Sequence, residues 1–469
     1  MSLPDALYSV AQVRDIDARA IAAGTPAAEL MQRAGAAALR VLVAKWPSAA
    51  RIAVVCGPGN KGGDGKVLAQ LLQRSGFKVD VVAAVTPFDA AVLSRADVVV
   101  DAFLGTGQRL PLRAEAAAVV AAINACGRPV LSLDLPTGLD GDRGDASQAV
   151  RAAATVSFIA LKTGLLIGDG PSCTGELQLD CLGVAIPPDI RPRASCIASD
   201  VIRSALPARP RNAHKGAFGR VLVVGGGAGM PGAVRLAAEA ALQVGAGLVT
   251  VASRPEHLLP VVGARPELMF QALPDAAALP AAMAQADVIA VGPGLGRDDW
   301  AQSVFETLLA HRRPDQRLVM DADALNLLAA RSERLRDANW ILTPHPGEAA
   351  RLLGFETPAV QADRLAALER LVEERGGVVI LKGAGTLLGA AGQVPALCRH
   401  GNPGMAVPGM GDVLTGALAG ILAQCRDPWL AAQAAVQAHA LAGDRVAAAG
   451  ERGVLAGDVA RALRDVVNA

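Results

Sequence analysis

The run Gly401–Gly420, GNPGMAVPGMGDVLTGALAG, sets one carboxylate inside a glycine loop. Its first half is too rich in Gly and Pro for regular structure. From Val413 the pattern changes: Val413, Leu414, Ala417, Leu418, Ile421 and Leu422 share one helical stripe. The spacing predicts a loop that opens into a buried helix. Gly409 and Gly411 leave backbone N–H groups bare at the helix start, where unpaired donors and the helix dipole together favour an anion. Asp412 in the same turn disfavours plain phosphate binding. It suits a base that takes a proton from a hydroxyl while the loop holds a phosphoryl group. An Asp N-cap after a glycine turn would use the same residues.

A second constellation is Gly57-Pro-Gly-Asn-Lys-Gly-Gly-Asp-Gly65, between the apolar run Ile52–Cys56 and the helical pattern Val67, Leu68, Leu71, Leu72. Strand, glycine loop and helix form a nucleotide-phosphate architecture, although the spacing is neither GxGxxG nor a P-loop. Asn60 and Asp64 add an amide and a carboxylate, as suits a ribose or polyol edge beside a phosphate. Further apolar runs end in polar turns. Asp101 precedes Phe103–Pro111, Asp134 precedes Leu135–Gly141, and Lys162 precedes Thr163-Gly164. In the second half the turns are Gly225–Gly232, Gly292–Gly296, Asp321-Ala-Asp323, Pro344-His-Pro-Gly-Glu348 and Lys382–Thr386. One such Asp reads as a turn former. Several on one edge of an open α/β sheet mark the side where ligands bind. Asp134 is the candidate to move a proton at a carbon next to nitrogen or oxygen. Lys382 is the phosphate partner by chemistry, a mobile point charge at a strand end. His345, between two prolines, reads on its own as an exposed loop residue.

The elements that must position these residues alternate. Apolar runs at residues 52–56, 79–84, 98–102, 130–135 and 155–161, then at 220–224, 248–252, 287–291, 318–320, 340–343 and 378–381, are mostly separated by helical stretches. That alternation predicts α/β architecture with parallel, doubly wound sheets. Ser9 with Gln12 forms a capping box. Thr25 is expected as the cap of a second helix, with Pro26 in its first turn. The proline-rich stretch Ile186–Pro210 predicts a boundary near Ser199, giving domains 1–198 and 199–469 that pack rather than swing freely.

Composition excludes other classes. With 469 residues, 52% hydrophobic, the chain can build large cores. A formal net charge of +1 argues against nucleic-acid or membrane-surface binding driven by charge. The seven cysteines form no CxxC pair, so neither zinc nor a disulfide framework is expected and a cytoplasmic location fits. MSLPDALYSV gives no signal-peptide pattern, and no apolar stretch is long enough to span a membrane. Homo-oligomerisation is expected. Lysine is scarce, 7 residues against 38 Arg, and five of them, Lys61, Lys66, Lys162, Lys215 and Lys382, fall in or beside glycine-rich turns.

The motifs GPGN-x-GGDG, DAFLGTG and DLPTGLDGDRG resemble the NAD(P)H-hydrate epimerase domain, over about residues 8–190. The resemblance implies a Rossmann-like fold. It implies a substrate site lined by Asn60, Lys61, Gly62, Gly63 and Asp64, by Gly105, Thr106, Gly107, Gln108, Arg109, Leu110 and Pro111, and by Asp134. It also implies a potassium ion held by the position after Asn60, by Asp101 and by Thr137. Here that position is Lys61, where the family usually has a second Asn. An ammonium has donors and no lone pair, so it cannot ligate potassium. Either the Lys61 ammonium lies where the ion would, bonded to Asp101 and Thr137, or the domain binds without isomerising. Ala153 is a second departure, where an Asp is common. The stretch between Val79 and Asp97 is also short.

In the second half, GGGAGMPGA, GPGLG, DADAL, TPHPGE, KGAGT and GNPGMAVPGMGDVLTG resemble the ADP-dependent NAD(P)H-hydrate dehydratase of the ribokinase-like superfamily, from about residue 200 to the end. The resemblance implies that Ala233, Gly296, His345 and Asp412 meet the hydrated nicotinamide. Lys382, Gly383, Ala384, Gly385, Thr386 and Gly411 meet the nucleotide. ADP is the implied phosphoryl donor, with Mg²⁺. Together the halves imply repair of the hydrates NADHX and NADPHX. The R and S forms are interconverted, and the S form is dehydrated at the expense of ADP, releasing AMP and phosphate. Two rivals remain: a ribokinase-like kinase that keeps its phosphorylated product, and a dehydratase whose N-terminal half only binds.

Overall fold

The computed structural model describes residues 3–84, 88–263 and 265–469. The chain folds as two compact units, Met1–Ser195 and Cys196–Ala469.

In the first unit, continuous apolar runs make strands buried on both faces, the pattern of a parallel sheet. Six strands lie side by side in the order Lys78–Ala83, Arg51–Cys56, Val98–Ala102, Val130–Leu133, Ala154–Phe158, Glu176–Asp180. Every neighbouring pair is parallel. Side chains alternate across it. Ile52, Val54 and Cys56 join a core with Val13, Ile16, Leu30 and Leu68, from the helices Val10–Ala22, Ala27–Lys45 and Asn60–Arg74. Ala53 and Val55 face Val119, Val120 and Ile123 of the helix Ala114–Ala125. This is a three-layer arrangement. The chain runs from Arg51–Cys56 outward to Lys78–Ala83, then returns to Val98–Ala102 on the other side. Such a reversal opens a crevice at the carboxyl ends of the two strands that flank it. A short strand, Ala6–Tyr8, pairs with Leu161–Lys162 in parallel and with Ala194–Cys196 antiparallel.

Two local expectations change. Most of the glycine loop after Cys56 is helix, which starts at Asn60 with Gly59 as its cap. Gly62 lies inside it because a Cβ there would sit 1.9 Å from the Gly57 carbonyl oxygen. The glycine permits close backbone approach rather than loop freedom. The second helix is capped by Pro26 itself, and no side chain bonds to its start, so Thr25 is not the cap. The Ser9–Gln12 capping box is present as expected.

The second unit repeats the plan on a larger scale. Its strands run Met269–Ala272, Leu248–Ser253, Arg220–Val224, Val288–Val291, Arg317–Met320, Trp340–Leu342, Val378–Leu381, Leu387–Ala390, Ala396–Leu397. The first seven are parallel and the last two antiparallel. The reversal here lies between Arg220–Val224 and Val288–Val291. The helix Met410–Leu422 buries 11 of its 13 residues. It lies hard against the helix Pro231–Gln243: a Cβ on Gly416 would meet the Ala237 carbonyl oxygen at 1.8 Å. That backbone contact fixes where the helix start, with Asp412, meets the sheet edge. Among the described residues, no helix is long and apolar enough to cross a membrane.

Candidate active sites

In the second unit, four adjacent strands deliver their turns to one edge, and the Met410–Leu422 helix brings its N-terminus to the same place. Gly409 caps that helix with φ +90° and supplies no side-chain cap bond. Asp412 is therefore not consumed as an N-cap. A Cβ on Gly411 would lie 3.3 Å from Lys382 Nζ and 3.4 Å from Asp321 Oδ2. The bare glycine lets this ion pair sit directly against the helix start.

Lys382 Nζ donates to Asp321 Oδ1 at 2.6 Å, with Glu348 Oε2 3.8 Å away. Asp321 also accepts the hydroxyl protons of Thr343 (2.8 Å) and Thr415 (2.9 Å). Burial pushes the Asp321 carboxyl up, but Lys382 and the two hydroxyls outweigh it and hold it below its usual range. Burial pulls Lys382 down, while Asp321 and Glu348 more than compensate and raise it. Lys382 is thus a partly buried cation anchored on Asp321 rather than the mobile point charge expected from sequence. Behind it, the buried Arg364 holds the turn by its carbonyls. It donates to Leu381 O and Lys382 O, both at 3.2 Å, and to Ala384 O. Gly383, Ala384, Gly385 and Thr386 complete that turn, with the Thr386 hydroxyl on Gly383 O at 3.0 Å.

Asp412 is pushed up to about 7, by burial first, then by Asp321, with Lys382 opposing and Asp323 adding. A carboxylate tuned to neutrality is matched to general-base work. Glu348 is likewise pushed up to about 7 by burial, against the pull of Lys382. His345 is the cap of the helix Pro346–Leu353. Its Nδ1 accepts from the N–H groups of Gly347 (3.0 Å) and Glu348 (3.4 Å), which leaves the ring proton on Nε2. Burial, then Lys382, holds His345 below its ordinary value. Gly296 (φ +80°) donates its N–H to Asp323 Oδ2 at 2.9 Å and has open space beside it. Ala233 lies at the start of the Pro231–Gln243 helix, where Gly294 packs against it.

In the first unit, Lys61 is buried in the first turn of the Asn60–Arg74 helix. Its Nζ donates to Leu135 O (2.8 Å), Asp101 Oδ2 (2.9 Å), Leu104 O (3.0 Å) and Thr137 Oγ1 (3.1 Å). Asp101, wholly buried, also accepts from Ser132 Oγ, from the N–H groups of Phe103 and Thr137, and from the Thr137 hydroxyl at 2.6 Å. Burial pulls Lys61 below its ordinary range against the opposing effect of Asp101.

Asp134 stands at φ +64° just past its strand. It accepts from Phe158 N–H at 3.2 Å and from the fully buried Lys162 ammonium, which also reaches Phe158 O (2.9 Å) and Ser157 Oγ (3.2 Å). Asp64 is pushed up to about 8 by burial, then by Asp134 and Asp17, with Lys61 opposing. At neutral pH it carries a proton beside the ion-paired Asp134. Asp17 comes from the Val10–Ala22 helix and is raised mainly by burial.

The Gly105–Pro111 segment divides. Gly105 packs on the Lys61 stem. Gln108 clamps the neighbouring loop, donating to Leu139 O (2.6 Å) and accepting from Gly138 N–H (2.7 Å). The Thr106 carbonyl takes Arg14. Gly107, Arg109 and Pro111 are exposed, as is Asn60, whereas Leu110 is half-buried. Gly62 is buried and Gly63 partly so. Ala153 is exposed just before Ala154–Phe158, at the opposite end of that strand from Asp134. Sequence reasoning gave no site role to Lys162, Asp17, Asp321, Glu348 or Arg364. The strand-end Asp321 and Lys162 were visible as polar ends, but their partners are not adjacent in sequence.

The family described as NAD(P)H-hydrate dehydratase matches residues 221–465, and that described as YjeF-related protein N-terminus matches 27–92 and 85–164. The bifunctional NAD(P)H-hydrate repair enzyme of Coxiella burnetii is 45% identical, the match covering 98% of this chain and 99% of that one. That of Escherichia coli is 39% identical, covering 94% and 89%. A Bacillus subtilis ADP/ATP-dependent NAD(P)H-hydrate dehydratase, co-crystallised with ATP and Mg²⁺, superposes with a TM-score of 0.52 at 28% identity, over 58% of this chain and 97% of that one. With both halves matched in order and near full-length identity of this size, the chain belongs to the bifunctional NAD(P)H-hydrate repair enzymes.

Proposed function

We propose that residues 199–469 dehydrate the S-hydrate of NADH or NADPH with ADP, and that residues 1–198 interconvert the R and S hydrates so that both are repaired. The observation that supports the dehydration most is Asp412, a carboxylate pushed up to about 7, in the first turn of a helix with no side-chain cap, beside the Lys382–Asp321 pair. Asp412 takes the proton of the hydrate's hydroxyl as that oxygen attacks the terminal phosphorus of ADP. The P–O bond to AMP breaks, and AMP leaves. Bare N–H groups of the Gly409–Gly411 turn and Lys382 steady the charge on the moving phosphoryl group. The C–O bond then breaks with loss of phosphate, the neighbouring ring carbon gives up a proton to the departing phosphate or to water, and the ring double bond returns. Water is a poor leaving group and phosphate a good one, which is the reason to consume a nucleotide. His345, with its proton on Nε2, and the open Gly296 turn are the contacts assigned to the nicotinamide.

Mg²⁺ would accompany the nucleotide. Among the described residues no group of three or more His, Cys, Asp or Glu stands ready to hold a metal ion. That suits an ion carried by phosphate oxygens and water rather than caged by protein.

In the N-terminal half, Asp134, ion-paired with Lys162, is the base, and Asp64, protonated at neutral pH, is the nearby acid. Potassium does not fit the position implied for it, since Asp101 Oδ2, Thr137 Oγ1 and two carbonyls are already bonded to Lys61. No step uses that ion. The departure at Ala153 lies away from these groups and does not argue against activity. Seven free cysteines fit work in a reducing cytoplasm. Homo-oligomerisation remains part of the reading and is checked by sedimentation.

The test is to offer both hydrate epimers with ADP and follow reduced-cofactor absorbance. Complete repair faster than spontaneous epimerisation, with free phosphate released, is the expected outcome. A stall near half conversion would remove the epimerase. An accumulating phosphoester would point to a kinase.

A further inference from the structure

Four oxygens from two strand-end segments, 101–104 and 135–137, converge on the Lys61 ammonium at 2.8–3.1 Å. The hydrogen-bond inventory defines what each group is. Asp101 receives five donors counting Lys61, on both oxygens, and so is a carboxylate. Thr137 gives its own proton to Asp101 Oδ1 at 2.6 Å, which leaves its lone pairs for Lys61 and for the Leu104 N–H. The other two are backbone carbonyls, which only accept. Every group facing Nζ presents a lone pair, and one carries a full negative charge. An ammonium has three N–H bonds for these four oxygens, so one bond is shared. A spherical ion would meet no such mismatch. The cage is of the kind that holds a desolvated monovalent cation, and a side chain fills it.

We propose that Lys61 is a tethered cation: its ammonium occupies the monovalent-ion position of the N-terminal site, and this unit works without potassium. The placement gives the charge a task. Leu104 O lies at the root of the Gly105–Pro111 segment, and Leu135 O follows Asp134 directly. One ammonium therefore pins both loops at the crevice where the strand order reverses, between Arg51–Cys56 and Val98–Ala102. The charged groups in its field are Asp101 and Asp134, each favouring the ammonium form against burial, and Asp64 joins them only above about pH 8, where it ionises. A covalently attached cation keeps this arrangement at any salt composition.

The catalytic consequence rests on the epimerase reading, but the binding consequence does not, and the experiment separates them. Full-length wild type and Lys61→Asn are melted in potassium chloride and in choline chloride at equal ionic strength, and crystals of both are soaked in rubidium chloride for anomalous scattering. Wild type should melt at the same temperature in both salts and show no rubidium within the cage. K61N, which empties the cage and adds an amide oxygen, should melt lower in choline, recover in potassium, and bind one rubidium beside Asp101. Its epimerisation rate should rise with potassium while that of wild type stays flat. Potassium-dependent melting of wild type, a rubidium peak within its cage, or a folded K61N indifferent to potassium would each overturn the proposal. The wild-type arms decide it even where K61N does not fold. An inactive wild type that melts identically in both salts would remove the epimerase and leave the tethered cation standing.

Discussion

The two halves each pair a lysine with a buried aspartate at the carboxyl edge of a parallel sheet, and the two pairs differ in one respect. Around Lys61 the oxygen ring is complete, and its side chain is 3% exposed. Around Lys382 it is incomplete. Among the described residues the one hydrogen bond of its ammonium is to Asp321, Glu348 is 3.8 Å off, and its side chain is 19% exposed beside Gly411. A saturated ammonium has no donor left for a ligand and acts as part of the frame. An unsaturated one keeps donors for a phosphate oxygen. The neighbouring carboxylates, Asp64 pushed up to about 8 and Asp412 to about 7, show that burial outweighs the nearby lysine in both places.

The largest effect expected on the open site comes from its base. Asp412→Asn should lower dehydration by on the order of 10²–10⁴-fold. Nucleotide should still protect the protein against melting, and epimerisation should be unchanged. Undiminished turnover would remove Asp412 from the chemistry.

Removing each cation tests the contrast directly. Lys61→Met and Lys382→Met both strand a buried carboxylate, a loss of about 3–5 kcal/mol where no water can enter. The closed ring should suffer most of that loss. At the open site, water can reach Asp321, so the stability loss should be smaller and weaker ADP binding should dominate. Chemical denaturation and ADP titration of both variants separate the two. Equal stability losses, with ADP affinity unchanged in K382M, would erase the distinction between frame and ligand site.

Asp321→Asn probes the coupling inside the open site. For wild type, kcat/KM of dehydration should fall as pH drops through about 7, where Asp412 takes up its proton and stops being a base. Burial and the Asp321 charge hold Asp412 up, and Lys382 draws it down. With the Asp321 charge gone, Asp412 stays ionised to lower pH, and the acid limb moves down the scale. A merely structural defect would reduce the rate at every pH and leave the limb in place.

Much of this frame was legible because continuous apolar runs ending in polar turns encode buried parallel strands and their ligand edge together. Asp412 stood out because a carboxylate is out of place in an anion loop. Other features were not legible. Gly62 looked like loop chemistry, yet it serves close backbone contact with the Gly57 carbonyl in the turn just before its helix. Met269–Ala272 is an edge strand with a half-exposed pattern, so no continuous apolar run announces it. Lys382 looked mobile because its anchor, Asp321, is 61 positions away. Lys162 and Asp134, 28 positions apart, form a pair only once Asp134 adopts its left-handed backbone past the strand. Local pattern specifies elements, whereas partners separated by whole strands are set by the order in which the sheet is wound.

The smallest effect belongs to one hydroxyl. Thr415 lies on the buried helix face one turn beyond Asp412 and donates to Asp321 Oδ2 at 2.9 Å. Val keeps its shape and removes the donor, so Asp321 loses one of the bonds that stabilise its charge. A hydrogen bond to a charged group contributes about 1.5–3 kcal/mol. Thr415→Val should therefore lower the melting temperature of the second unit by several degrees. The remaining Thr343 and Lys382 bonds keep the ion pair in place, so ADP affinity should change little and epimerisation not at all. Differential scanning calorimetry with and without ADP reads both. A collapse of ADP affinity in T415V would mean that Asp321 cannot hold Lys382 without that hydroxyl, and that the open site depends on its incomplete ring as strictly as the closed site does on its complete one.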